Sequence, residues 1–142
     1  MKLKQILAAY KVLGEAKVQK LDEKEVIKIV KARKAMRPHA DEYEAFFKDV
    51  QEKFKPENWD DVQAKVQKWQ QEGENTTLSE VERVQINKVL IDFQKKIETA
   101  VKDELEKEVE LSIDKLSEES ATKLLVENGW ELKKLDEIEV MF

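Results

Sequence analysis

Residues 77–107, TLSEVERVQINKVLIDFQKKIETAVKDELEK, decide the reading of this chain. The stretch opens with a capping-box pattern. The Thr77 hydroxyl can accept from the Glu80 backbone N–H, and the Glu80 carboxylate can accept from the Thr77 N–H. Apolar residues then recur at helical spacing through Val81, Val84, Ile86, Val89, Leu90, Phe93, Ile97, Val101 and Leu105, with no Gly or Pro between them. Such a helix would be about 45 Å long at ~1.5 Å per residue. It is expected to be the spine against which the rest packs.

The preceding helical pattern is equally long. Asp22 is a favourable N-cap with Glu25 three residues on, and Val26, Ala40, Phe47 and Phe54 follow at multiples of seven. Pro38 lies in the middle, yet the apolar phase is kept across it. One helix kinked at Pro38 is therefore expected rather than two helices with a loop between them. Between the two long helices, Pro56 and Asn58 mark a turn. Trp59, Val62, Val66 and Trp69 then share one face of a short helix reaching Glu72.

The flanks are shorter. Residues 2–13 are an amphipathic helix, which Gly14 is expected to end. In 108–114 the period changes to two, with Val109, Leu111 and Ile113 alternating with polar residues, and 16–21 is weakly similar. In an antiparallel hairpin of the long helices these segments flank neighbouring ends, so a two-stranded β ribbon is expected there. Ser117 caps a further helix ending at Asn128-Gly129, and the apolar C-terminal dipeptide, Met141-Phe142, is expected to be docked. The expected fold class is mainly α: one helical domain over 1–142, a long kinked hairpin with short flanking helices and a small ribbon.

Composition bounds the chemistry. The 142 residues are 40% charged and 41% hydrophobic, with only three Gly and two Pro. That balance suits long helices with charged outer faces. Three Trp and five Phe are more apolar payload than disordered segments carry. The net charge of −5 conceals an asymmetry: 1–71 holds 16 Lys/Arg against 12 Asp/Glu, and 72–142 holds 10 against 19. Mutual neutralisation of the halves is the simplest reading.

Without cysteine there is no disulfide framework, thiol catalysis or Cys-ligated zinc. A single histidine, His39, excludes the paired Glu-x-x-His motifs of di-iron bundles, and no Gly-x-Ser-x-Gly elbow is present. The three glycines stand apart, so no phosphate-cradling loop is formed. The expectation is a non-enzymatic protein with no catalytic residue, cofactor or metal. No apolar run approaches the ~18 residues of a membrane span, and the N-terminus lacks the apolar core of a signal peptide. A cytoplasmic protein is expected.

Two surfaces are candidates for function. Trp59, Val62, Val66 and Trp69 form a candidate protein contact, or else pack on Phe54 and Val81. Lys28, Lys31, Lys34 and Arg37 form a basic face of the first long helix. Nucleic acid is one reading of that face, which the acidic total opposes. Pairing with the acidic stretch 103–119 is the other.

The opening KLKQILAAYKVLGEAKVQKL, the segment ARKAMRPHADEYEAF, the capped TLSEVERVQINK and the run ELEKEVELSIDKLSEE together form a pattern. It resembles small helical proteins without assigned activity encoded by tailed phages and by prophages of gut bacteria. The resemblance spans nearly the whole chain and carries no functional residues. It implies a phage-type protein working in the cytoplasm of a bacterial host. The function expected first is protein–protein interaction or assembly, through a coiled-coil-like surface that can self-associate. The alternative is a monomeric inhibitor or decoy that binds a host protein through the acidic C-terminal half.

Overall fold

The computed structural model describes residues 1–142 and is mainly helical. Its elements are α1 (Leu3–Glu15), α2 (Glu23–Phe54), α3 (Trp59–Glu72), α4 (Glu80–Glu106) and α5 (Glu118–Asn128). Short 3-10 turns at Gly73–Asn75 and Leu132–Met141 complete the chain. No helix is long and apolar enough to cross a membrane. Two compact units are formed, Met1–Ala45 with Asp103–Phe142, and Phe46–Lys102.

The helix α2 is continuous across Pro38, as the unbroken apolar phase predicts. Its Ile29 and Met36, seven residues apart, are both buried. In the first unit these residues join Ile6, Ala9, Val12 and Leu13 of α1, Leu116, Leu124 of α5, and Ile138, Val140 and Met141 in one core. Of the two last residues Met141 is docked, with the Leu116 N–H donating to its carbonyl at 2.6 Å, whereas Phe142 is exposed.

The ribbon does not form, and there is no sheet. Residues 16–21 and 108–114 find different partners. The Asn128 side chain receives the Lys17 N–H at 2.7 Å and donates to the Lys17 carbonyl at 2.9 Å, as a strand would. The Glu127 carboxylate receives the N–H groups of Gln19 and Lys20. Segment 16–21 is therefore held by the end of α5. Residues 107–109 instead meet the start of the chain. Leu3 N–H donates to the Lys107 carbonyl and Val109 N–H to the Met1 carbonyl, leaving one isolated antiparallel bridge, Lys2 to Glu108. Val109, Leu111 and Ile113 still turn toward the core, which accounts for their alternation.

Two helix ends also differ from expectation. The spine α4 begins at Glu80, and its capping box is Ser79/Glu82: the Glu82 N–H donates to Ser79 Oγ at 3.1 Å, and Ser79 N–H to Glu82 Oε1 at 3.4 Å. Thr77 instead contacts the Glu72 carboxylate. Gly14 does not end α1, which runs to Glu15 with Ala16 as an extended C-cap. A Cβ at Gly14 would lie 2.8 Å from Nη2 of Arg33, so the glycine admits a guanidinium from α2.

The first unit is pinned by one buried carboxylate. Glu25, 7% exposed, accepts from Ser117 N–H and Ser120 Oγ, each at 2.8 Å, and its second oxygen lies 2.9 Å from Lys28 Nζ. Ser117 Oγ in turn accepts from the Ser120 N–H. A carboxylate of α2 thus completes the N-terminus of α5, whose backbone donors favour negative charge.

Candidate functional site

In the second unit the core is Val62 of α3, Leu78 of the link before α4, and Ile86 of α4, with Val66, Trp69, Val89 and Leu90 packed around it. Three of the four candidate contact residues, Val62, Val66 and Trp69, turn toward this core. Val62 is buried and presents nothing to a partner. Trp59 stacks at a tilt on Phe93, with ring centroids 4.5 Å apart. The expected support from Val81 is absent, because Val81 is exposed on the outside of α4.

What the α3 face leaves open is a cavity of about 330 Å³ walled by Val66, Trp69, Ile86, Asn87 and Leu90, with no charged lining. Asn87 also lines a second depression with Val84, Lys88, Ile91, Asp92 and Lys95. Val81, Val84 and Ile91 are 65, 61 and 53% exposed. With Lys88 and Lys95 they fall at spacings of three, four, three and four, the seam positions of a coiled coil. The apolar period places Val81 and Val84 on the same stripe of the spine as Ile86, Val89 and Leu90. In fact Ile86, Val89 and Leu90 supply the side facing α3, and period alone does not separate the two sides.

In the first unit the basic face is only partly used. Lys28 reaches Glu25 and the Lys115 carbonyl. Lys31, Lys34 and Arg37 form no ion pair with the acidic stretch 103–119, so the expected pairing is not made. Ion pairs between distant parts of this unit join the N-terminal ammonium to Glu108, Lys2 and Lys4 to Glu106, and Lys123 to Asp22. Between its two lysines Glu106 is held at a pKa of about 2, chiefly by the hydrogen bond from Lys2. Arg37 donates from Nε to the Tyr10 hydroxyl at 3.4 Å, which raises its pKa further. Arg33, in the same basic run, stands over the Tyr10 ring at 4.8 Å.

The helices also meet outside these surfaces. In the first unit Tyr43 of α2 lies near Glu104 of α4; burial, then that charge, raise the Tyr43 pKa. In the second, residues 53–57 share a depression with Val89, Asp92, Phe93 and Lys96.

Comparison with protein-family models, with curated proteins and with solved structures finds no match to this chain.

Proposed function

We propose that this chain is a non-enzymatic protein–protein interaction module that self-associates through the outer face of α4. The single observation behind this reading is the stripe Val81, Val84 and Ile91, more than half exposed at coiled-coil spacing. Val81 takes an a-type position and Val84 and Ile91 take d-type positions, while Lys88 and Lys95 at the other a-type positions set register at some cost in stability. Lys88, Asp92 and Lys95 give the depression both signs of charge, which a like patch can match. The reading includes the antiparallel course of α2 and α4. It is supported by the pairing of Tyr43 with Glu104 and of residues 53–57 with residues 89–96. A phage or prophage origin and a bacterial cytoplasmic setting belong to the same proposal and rest on the sequence pattern.

The test is a Val84→Glu, Ile91→Glu double variant. Because both side chains are exposed, helicity should be retained while the mass in solution falls to that of one chain. Retained mass with retained helicity would remove the α4 face as the contact.

A second reading has its own observation. Val126 and Leu132 are about three-quarters exposed among Glu127, Glu131 and Asp136 in the acidic half. This suits a monomeric inhibitor whose host target presents a basic, partly apolar surface. Under that reading the α4 double variant is silent, and Val126→Ser with Leu132→Ser abolishes target binding.

A further inference from the structure

We propose that the groove between α1 and α2 in the first unit binds an apolar monocarboxylate, a fatty-acid-like anion of medium chain length. Its carboxylate would sit at Arg33 and Arg37 and its tail on the apolar floor. The groove encloses about 330 Å³, at the small end of ligand pockets. Taking ~30 Å³ for each water-sized group, that is room for about eleven heavy atoms. Leu13, Ala16, Val18, Val26, Ile29 and Val30 provide the floor. Every charged residue in the lining, Arg33, Lys34 and Arg37, is cationic.

Arg33 and Arg37 are held in place by Tyr10, and no carboxylate forms an ion pair with either, although Asp41 lies near enough to act on the Arg37 charge. The Arg33 guanidinium is set between the Tyr10 ring and Gly14, and Arg37 is tied to the Tyr10 hydroxyl. Arg33 Nε is buried with no acceptor. A buried charged donor left unmatched is costly, and the planar fork of a guanidinium fits a carboxylate through two parallel hydrogen bonds. In a chain with 31 acidic residues, none lines this groove. Charge complementarity therefore selects an anion, and the floor selects an apolar body. Gly14 belongs to the device, because any side chain there pushes against the guanidinium.

The test is a titration of the full chain with decanoate below its micelle concentration, followed by calorimetry and by methyl NMR. Decanol and decyltrimethylammonium serve as neutral and cationic controls. Saturable decanoate binding is expected, with shifts concentrated at the Val18, Val26 and Val30 methyls and at least tenfold weaker binding of both controls. Arg33→Met should weaken decanoate binding at least tenfold. Gly14→Ala, which keeps every cation, should weaken it severalfold with helicity unchanged. Equal binding of decanol, shifts centred elsewhere, or full affinity in folded Arg33→Met would overturn the proposal.

Discussion

Replacing Glu25 by Gln tests how the first unit is held together. The carboxylate is pinned by the Lys28 ammonium first, then by the Ser117 and Ser120 donors, and these hold its pKa at about 2 against an ordinary 4.5. A shift of that size corresponds to about 3 kcal/mol of stability at neutral pH. Residual solvent at the carboxylate edge brings the expected value nearer ~2 kcal/mol. The sign follows from the direction of the shift. A depressed folded pKa stabilises above the unfolded value, and that contribution is lost as pH falls from about 5 toward 2. More than half should be gone by pH 3. Glutamine keeps the shape and can still accept from Ser117, so its cost is mainly the charge. Urea unfolding of both proteins should therefore differ by ~2 kcal/mol at pH 7, and the gap should narrow steadily below pH 5. Equal stability at pH 7, or a gap unchanged down to pH 3, would refute the reasoning.

Four further substitutions probe the local structure. Ser79→Ala should cost about 1 kcal/mol in urea unfolding, whereas Thr77→Ala, outside the observed cap, should stay within about 0.5 kcal/mol; the reverse order would restore the Thr77 cap. Gly14→Ala should leave unfolding free energy unchanged or raise it by up to about 1 kcal/mol, since helix propensity improves and the flexible Arg33 head can shift; a clear loss of stability would mean the guanidinium cannot move. Asn128→Ala should cost ~1–2 kcal/mol and speed hydrogen exchange at the Lys17 amide; unchanged exchange there would show that segment 16–21 does not depend on α5.

The helices were legible because their signal is local. Apolar period, the Ser117 cap and the Asn128-Gly129 stop all act within a turn or two. Gly129 does adopt the left-handed conformation, φ 63°, expected just past a helix end. The ribbon was misread because alternation at Val109, Leu111 and Ile113 reports which side is buried. It does not report where the backbone hydrogen bonds go, and side chains of Glu127 and Asn128 took the place of a strand. The cap of α4 was ambiguous in principle, since Thr77/Glu80 and Ser79/Glu82 are overlapping matches to one motif. Burial of Leu78 beside Val62 and Ile86 accompanies the later start. Gly14 looked like punctuation because only tertiary structure reveals Arg33 beside it. The groove was hidden for the same reason, its lining being drawn from α1, the following link and α2.

Solution mass against concentration, by size exclusion with light scattering, tests the central claim most directly. A dimer that dissociates on dilution is expected, and a single chain of 16.7 kDa at all concentrations once Val84 and Ile91 are changed to Glu. A parent protein that stays at the single-chain mass throughout would contradict it.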